Sequence, residues 1–344
     1  MDKLETNRAT DYYCGNGISF EVVAPYIVRK AGEGKTPKIA ICSDREVSGY
    51  YYNRFEEQFI KLGIKPYLIT VDSRTNFKGL VSSDVLLKSL VDFDFGTDDW
   101  LISFGGGGVL DICGFVSSIF NCGINFMTVP TTLNSMIDGV LTSHSYLNSS
   151  GHKNEIRVPF ECSVAVLDPI YLNTVPPKVR TGGYASIIRL SLLGNLELLE
   201  NIAGPKDFRT YINDIYKTRM EIEKKDPLLL TLGDELAQSI ESYFRFMNYS
   251  EGEALALSLL SSVNEGRKRP LVAIYNALKL PTVLEGCTEK MIRKTLNEQL
   301  AHRGEDKIKM VDLDGGKWKV FEYETSEAEE ILSSRIKKIL NEES

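Results

Sequence analysis

The sequence predicts an α/β N-terminal half with a mostly parallel sheet, followed by an all-α C-terminal half. Over residues 1–175, short apolar runs alternate with stretches of helical spacing, which is typical of βαβ units. From residue 178 to about residue 300, the apolar positions recur almost entirely with helical periodicity. The 344 residues are 43% hydrophobic and 25% charged, which suffices for two folded domains. We therefore predict domains at residues 1–175 and 176–344.

The N-terminal half contains five candidate strands separated by candidate helices. The strands are short apolar runs at residues 38–43, 66–72, 99–104, 124–130 and 163–169. Helical spacing fills the gaps, as in SSDVLLKSLVDF, which begins with serine and aspartate cap candidates. Strands that are joined by helices lie parallel in one sheet, and their carboxyl ends share one edge.

The C-terminal half is predicted to be helical, with one late strand. Helical periodicity runs through TGGYASIIRLSLLGNLELLENI, FRTYINDIYKTRMEIEK, GDELAQSIESYFRFM, EGEALALSLLSSVNE and RPLVAIYNALK. A strand at residues 317–324 and a helix at residues 326–340 close the chain.

Charge and cysteine usage exclude several classes of function. The net charge is −7 and no basic stripe occurs, so a nucleic-acid partner is not expected. No apolar run reaches the roughly 18 residues of a membrane helix, and the N-terminus lacks the apolar core of a secretory signal. The six cysteines form no CxxC pair, so we expect reduced thiols and a cytoplasmic protein.

Four consecutive glycines, Gly105, Gly106, Gly107 and Gly108, separate a predicted strand from a predicted helix. Glycines at a helix N-terminus let backbone N–H groups approach an anion, and the helix dipole favours negative charge there. The turn is neither GxGxxG nor a P-loop. The alternative is a tight turn without a ligand, but four glycines are costly in chain entropy. We therefore predict a phosphate-binding turn.

Two adjacent hydroxyls, Thr131 and Thr132, follow the fourth predicted strand. Ligands bind at the carboxyl ends of strands in open α/β sheets, which favours a binding role. Threonine is also a common helix cap, and the sequence leaves both interpretations open.

These segments occur in an order that resembles a known family. FGGGGVLDICGF, GINFMTVPTTLNSMID, GHKN, VAVLDPIYLNTVPPKVRTGGYASIIRL, LGDELAQSIE and EGEAL resemble the dehydroquinate synthase family. That family belongs to the sugar phosphate cyclases and is related to the iron-type alcohol and glycerol dehydrogenases. The resemblance covers roughly residues 35–325 and is tightest between Gly105 and Ser191.

The resemblance implies a Rossmann-like nucleotide-binding domain, a helical metal- and substrate-binding domain, and a site in the cleft between them. Members bind NAD and a divalent metal, usually zinc, and the resemblance suggests a homodimer. They oxidise a sugar phosphate transiently, eliminate phosphate, reduce the ketone and close a carbocycle.

The resemblance assigns a set of cofactor-binding residues. They are Asp44, Lys78, Gly105, Gly106, Gly107, Gly108, Asp111, Thr131, Thr132, Asn154, Leu172 and Thr174. The family's acidic residue, which holds the ribose hydroxyls, falls here on Thr75 or Arg74. Its loss would weaken a bidentate contact to the ribose.

The metal-binding positions depart from the family pattern. One glutamate and two histidines hold the family's metal, and they fall here on Ser186, Asp234 and Glu251. A carboxylate pair, Asp234 and Glu251, suits magnesium or manganese better than zinc. The alternative is that both are exposed helix carboxylates.

The family's proton-transfer and substrate-binding groups are also replaced. Its proton-transfer histidine falls on Gln238, which cannot act as an acid or a base. The lysine near the metal falls on Arg189, which can hold an anion but cannot lose a proton. The substrate arginine and asparagine fall on Pro227 and Thr231.

Three residues remain as catalytic candidates: His144, Lys153 and Arg189. His144 stands where the family has a lysine after the paired threonines, and histidine is the side chain type best suited to proton transfer at neutral pH, so it is the candidate acid/base. The alternative is a surface polar residue in a loop.

Three functions stay open at this point. The first is a divergent cyclase, a carbon–oxygen lyase with transient NAD redox and a rebuilt, non-zinc site that does not make dehydroquinate. The second is a non-catalytic relative that binds a nucleotide or a sugar phosphate. The third is an NAD-dependent polyol, glycerol or glycerol phosphate dehydrogenase, which residues 137–143 faintly resemble. The expected substrate is a phosphorylated sugar or a related small molecule.

Overall fold

The computed structural model describes residues 2–4, 9–74, 78–203 and 208–340. The chain divides into two compact units, Met1–Val175 and Pro176–Ser344. The strands of the first unit are β1 (Asp2–Leu4), β2 (Asp11–Cys14), β3 (Ile39–Ser43), β4 (Tyr67–Thr70), β5 (Trp100–Gly105), β6 (Asn125–Pro130), β7 (His144–Ser149), β8 (His152–Pro159) and β9 (Val164–Leu167). Its helices are α1 (Ser19–Ala31), α2 (Arg45–Ile60), α3 (Leu80–Asp92), α4 (Gly107–Ile119) and α5 (Leu133–Ile137).

The predicted mostly parallel sheet is confirmed. Within the described residues, seven strands form one sheet in the order β1-β2-β9-β6-β5-β3-β4. Neighbours from β2 to β4 pair in parallel, and only β1 pairs antiparallel with β2. The strands β7 and β8 form a separate antiparallel hairpin that carries a register shift.

The sheet is covered on both faces, which explains why its central strands are apolar throughout. Every residue of β3 and β5 is buried. Alternate side chains of the central strands, such as Ile41, Ile102 and Phe104, pack with Phe20 of α1 and Phe55 of α2. The intervening side chains point to the opposite face, and α4 packs against β5 and β6.

A buried carboxylate ties the start of the first unit to its end. Asp168 directly follows β9 and is fully buried. It accepts hydrogen bonds from the backbone N–H of Gly17 at 2.8 Å, from the Ser19 hydroxyl at 2.6 Å and from the Ile170 N–H at 3.1 Å. A buried charge is tolerated when its hydrogen bonds are made, so this carboxylate fixes the N-terminus of α1 against β9.

The second unit is helical apart from one hairpin. Its helices are α6 (Pro177–Gly182), α7 (Tyr184–Leu193), α8 (Glu197–Ala203), α9 (Phe208–Lys225), α10 (Asp234–Tyr243), α11 (Glu251–Ser262), α12 (Glu265–Leu278), α13 (Glu289–Arg303) and α14 (Thr325–Lys337). The hairpin is β10 (Lys307–Asp314) with β11 (Lys317–Glu324). The sequence predicted β11 but not its partner β10. Among the described helices, none is long and apolar enough to cross a membrane.

Helix α11 lies at the centre of the second unit. All of its residues from Ala254 to Ser262 are buried, and it contacts α6, α7 and α10. Its start is fixed by a capping box, in which Ser250 and Glu253 exchange side-chain to backbone hydrogen bonds. A Cβ added to Gly252 would overlap the backbone of Gly182, so α6 and α11 cross at two glycines.

The Asp168 anchor generates a stability prediction. Replacing Asp168 with alanine leaves several N–H and O–H donors without this acceptor. We therefore expect the free energy of unfolding of the first unit to fall by about 3 kcal/mol or more. Urea unfolding should be followed by Trp100 fluorescence in a Trp318→Phe background, because each unit contains one of the two tryptophans. The control is Asp98→Ala at an exposed position, which should change stability little. Equal losses for the two variants would contradict the anchoring role.

Candidate functional site

The glycine turn joins β5 to α4, and close packing explains two of its glycines. A Cβ added to Gly108 would overlap the carbonyl oxygen of Ser73, and one added to Gly105 would lie 2.5 Å from Cγ2 of Val109. Gly106 is the N-cap of α4, and no side chain caps this helix. A Cβ on Gly107 would meet no atom within 4 Å. The N-terminus of α4 is therefore open at Gly107, where backbone N–H groups can receive an anion.

The paired threonines lie beside this turn. Thr131 is buried, and its N–H donates to the Gly105 carbonyl at 2.9 Å. Thr132 is the N-cap of α5 and forms a capping box with Ser135. A Cβ on Gly106 would lie 3.1 Å from Cγ2 of Thr132. The cap interpretation thus applies to Thr132, and both threonines hold β6 and α5 next to the glycine turn.

Three of the predicted cofactor residues come together in one partly buried cluster. The Lys78 ammonium donates to Asp111 Oδ2 at 2.7 Å and to Asn154 Oδ1 at 2.9 Å. The other Asp111 oxygen accepts from the Tyr146 N–H at 3.1 Å. Asn154 has a left-handed backbone, with φ of 58°, and its N–H donates to the Asn148 side chain. These groups satisfy one another, so they hold the β7–β8 hairpin against α4.

Asp44, predicted on the adenosine side, is the N-cap of α2. Its carboxylate accepts from the Val47 N–H at 2.8 Å, and burial raises its pKa. In the neighbouring loop after β4, Arg74 forms an ion pair with Asp72. Thr75 lies outside the described residues.

The two residues predicted beside the nicotinamide end lie at the carboxyl side of β9. Leu172 belongs to the 3₁₀ helix Pro169–Asn173 and is half-buried. The Thr174 hydroxyl lies 2.8 Å from the Tyr51 hydroxyl of α2. Both residues therefore share the carboxyl edge of the sheet with the glycine turn.

The predicted catalytic residues of the first unit are on the β7–β8 hairpin but are not together. His144 opens β7 opposite Pro159, and its Nδ1 lies 3.0 Å from the Ser143 hydroxyl. Lys153 is half-buried near the turn of the hairpin, beside Asn154. The two ends of the hairpin are separated by about four residues of strand, on the order of 13 Å. His144 and Lys153 would therefore act on different parts of any ligand.

In the second unit, two of the residues predicted to lie near a metal form an ion pair with each other. Arg189 Nη1 on α7 lies 2.7 Å from Asp234 Oδ1 at the start of α10. The Arg189 side chain is 9% exposed and the Asp234 side chain 37%. Ser186 is buried one turn before Arg189, and Glu251 is the exposed first residue of α11.

The positions that the resemblance matches to the family's proton-transfer and substrate groups, Gln238, Pro227 and Thr231, carry no ionisable group. Gln238 is half-buried on α10, and Thr231 ends the 3₁₀ helix that starts at Pro227. The Thr231 hydroxyl donates to the Leu228 carbonyl at 2.8 Å within that same helix.

A divalent metal does not fit this arrangement. Asp234 already contacts a guanidinium, which stays charged at any physiological pH and would repel a second cation. Ser186 offers a hydroxyl, which is a poor ligand for zinc. Over the described residues, no group of three or more His, Cys, Asp or Glu side chains could hold a metal ion.

Sequence reasoning missed one titrating group beside this ion pair. Glu235 is buried at the start of α10, and burial raises its pKa to about 7, with a further contribution from the negative charge of Asp234. The only signal in the sequence was an Asp-Glu pair at a helix start, a pattern that usually marks solvent-exposed first-turn acids.

Comparison with known proteins places these features in a family context. The family model described as 3-dehydroquinate synthase N-terminal matches residues 68–181. The 3-dehydroquinate synthase of Enterococcus faecalis is 24% identical over 319 residues, which cover 86% of this chain and 89% of that protein.

Two solved structures share the fold over nearly the whole chain. The 2-epi-5-epi-valiolone synthase of Streptomyces hygroscopicus, with NAD+ and Zn2+ bound, has a TM-score of 0.81 at 18% identity, covering 98% of this chain and 99% of its own. A 2-deoxy-scyllo-inosose synthase complexed with carbaglucose-6-phosphate, NAD+ and Co2+ has a TM-score of 0.80 at 19% identity, covering 97% and 99%.

The glycine turn generates a matched pair of variants. Gly108→Ala should destabilise the first unit by about 1 to 3 kcal/mol, because the new Cβ overlaps the Ser73 backbone. Gly107→Ala, at the neighbouring open position, should change stability by less than about 0.5 kcal/mol. Urea unfolding with Trp100 fluorescence compares them, and a Gly108→Ala protein as stable as Gly107→Ala would refute the packing constraint.

Glu235 generates a pH-dependent prediction. Its folded pKa, about 7, lies above its ordinary value of 4.5, so its ionisation costs the folded state stability as pH rises through this window. Glu235→Gln cannot ionise and so avoids this cost. Between pH 5 and pH 8, its free energy of unfolding should therefore rise by about 2 kcal/mol relative to that of the parent protein. Urea titrations followed by Trp318 fluorescence in a Trp100→Phe background measure this gain. Glu330→Gln, at an exposed position of α14, is the control, and a gain of equal size there would count against burial as the cause.

Proposed function

Because the chain belongs to the dehydroquinate-synthase-like family of sugar phosphate cyclases, we propose that it binds an NAD-type dinucleotide and acts on a phosphorylated sugar or a related small molecule. The proposed activity is that of a carbon–oxygen lyase whose catalytic site has been rebuilt without zinc, so that it does not make dehydroquinate. The observation that carries the proposal is the open N-terminus of α4 at Gly107, framed by glycines that pack too closely for any side chain.

The first unit suits a dinucleotide. The N–H groups at the start of α4 can receive a pyrophosphate, and Thr131 and Thr132 border the same turn. Asp44, Leu172 and Thr174 line the same carboxyl edge of the sheet. NAD would supply a hydride acceptor, and both solved relatives named above have NAD+ bound. The chain's contribution is to hold the pyrophosphate and to fix the hairpin through the cluster of Lys78, Asp111 and Asn154.

The second unit supports a site without a metal. Arg189 carries a permanent positive charge that Asp234 orients from 2.7 Å. A guanidinium can stabilise an anionic oxygen electrostatically, but it cannot accept a proton. We propose His144 and Lys153 as the proton-transferring groups, because Gln238 cannot serve and these two side chains on the β7–β8 hairpin carry exchangeable protons. Without a Lewis acid and a base at the family positions, dehydroquinate formation is not expected.

A non-catalytic relative is the second candidate function. It is favoured by the internal pairing of Lys78 with Asp111 and of Arg189 with Asp234, since charges that satisfy each other need no ligand. A polyol or glycerol dehydrogenase is favoured less, because the same metal-binding positions are replaced. We further propose a homodimer and a cytoplasmic location, the latter because the described cysteines are free thiols.

Calorimetric titration of NAD+ into chelator-treated protein tests the proposal. We expect binding, and we expect added Mg2+, Mn2+ or Zn2+ to change Kd by no more than about twofold, because Arg189 occupies Asp234. Gly107→Val should weaken binding at least tenfold while leaving stability nearly intact, because its side chain fills only open space. No NAD+ binding under any condition would overturn the dinucleotide site. A metal that tightens binding strongly would instead return Asp234 and Glu251 to the role of metal ligands.

A further inference from the structure

Helix α2 carries a tyrosine whose hydroxyl contacts the segment after β9. The Tyr51 hydroxyl lies 2.8 Å from the Thr174 hydroxyl, although the two residues are 123 positions apart. The Tyr51 ring packs edge-on against Tyr171, with ring centroids 4.8 Å apart and an angle of 85° between the planes. One polar and one apolar contact therefore join α2 to the segment that was predicted beside the nicotinamide end.

The backbone of this segment is fixed by the buried Asp168 network. Asp168 accepts from the Ile170 N–H at 3.1 Å and from the Ser19 hydroxyl at 2.6 Å. The hydroxyl of the fully buried Tyr171 lies 2.5 Å from that of Ser19. The Thr174 N–H in turn donates to the Tyr171 carbonyl at 3.2 Å. The Thr174 backbone is thus held in place, while its side chain lies at an exposed position at the carboxyl edge of the sheet.

The direction of the hydrogen bond between the two hydroxyls follows from the second partner of Thr174. The Thr174 hydroxyl donates its single proton to the Tyr171 carbonyl at 3.2 Å. Its oxygen therefore accepts from Tyr51, which is the donor of the pair. Both protons are then in use, but the two oxygens keep lone pairs. The pair thus offers a ligand hydrogen-bond acceptors and no donor.

The nicotinamide half of a dinucleotide carries groups that suit such an acceptor. Its ribose has hydroxyl groups, and the carboxamide of nicotinamide has an NH2 group, and both can donate. A threonine hydroxyl that already has a fixed proton and a fixed donor loses little freedom when a ligand binds. Groups that are ordered in advance bind more tightly for this reason.

We propose that Tyr51 is a positioning residue for the cofactor, whose hydroxyl fixes Thr174 as an acceptor for an N–H or O–H group in the nicotinamide half of the dinucleotide. This inference rests on the proposed function, because it needs a dinucleotide at the carboxyl edge of the sheet. Since Tyr51 acts through Thr174, its contribution to binding should disappear when Thr174 is replaced.

Calorimetric titrations with NAD+, ADP-ribose and ADP test the proposal. Tyr51→Phe removes the donor hydroxyl and keeps the ring that packs against Tyr171. It should weaken NAD+ binding about fivefold, whereas the affinity for ADP, which lacks the nicotinamide half, should change less than about twofold. ADP-ribose lacks only the nicotinamide base. Weakened ADP-ribose binding would assign the donor to the ribose hydroxyls, and unchanged binding would assign it to the carboxamide.

A matched control and a double variant accompany these titrations. Tyr50→Phe removes the same atom from the preceding residue, which is 70% exposed, and should change none of the affinities. Thr174→Val should weaken NAD+ binding at least as much as Tyr51→Phe. Adding Tyr51→Phe to Thr174→Val should then weaken it less than about twofold further. Thermal unfolding of Tyr51→Phe should match that of the parent protein, because its hydroxyl contact is exposed.

The outcomes separate the inference from the function on which it rests. Equal weakening of NAD+ and ADP by Tyr51→Phe would overturn the inference, because the tyrosine would not act on the nicotinamide half. A full fivefold effect of Tyr51→Phe in the Thr174→Val background would also overturn it. Weaker binding in Thr174→Val but not in Tyr51→Phe would overturn the role of Tyr51 and leave the dinucleotide site standing. A parent protein that does not bind NAD+ would overturn both proposals.

Discussion

The close approach of Gly108 to the Ser73 carbonyl constrains the backbone at the glycine turn of the first unit. It brings the start of α4 against the loop after β4, so that the helix N-terminus and the Asp72–Arg74 pair become neighbours. The threonines after β6 close the turn from the other side, through the hydrogen bond from Thr131 to Gly105. One backbone approach, possible only without a Cβ, therefore sets the geometry in which an anion could be held.

Two charged pairs lie within the candidate sites. Lys78 contacts Asp111 and Asn154, and Arg189 contacts Asp234. Partly buried pairs of this kind are costly to break, because removing one partner leaves a charge without compensation. The pairs thus hold their side chains in fixed positions. A ligand that binds these groups must either use their remaining hydrogen-bonding atoms or displace one member of the pair. The pairing of Asp234 with Arg189 thus differs from an arrangement in which a metal ion binds the carboxylate.

The sequence predicted those parts of the fold whose signal is local. The apolar runs of β3, β5 and β6 and the glycine turn were found because buried parallel strands are apolar throughout. The hairpin β7–β8 was not predicted, because its residues are mostly half-buried and polar. Helix α1, which contains Pro25, and the short strand β2 were not predicted either. The ion pair between Arg189 and Asp234 could not be predicted from the sequence either, because tertiary packing brings together residues that are 45 positions apart. Asp72 has a carboxylate at a strand end, but only the structure shows that Arg74 holds it.

The anchoring of α1 by Asp168 also bears on the synthesis of the chain. Ser19 and Asp168 are 149 positions apart, and β2 finds its parallel neighbour only in β9. These contacts of β2 and of the N-terminus of α1 therefore cannot form until residue 168 has been synthesised. At the usual rates of translation this delay is on the order of ten seconds. During that time the edge of β2 and the N-terminus of α1 lack the partners that they have in the folded unit.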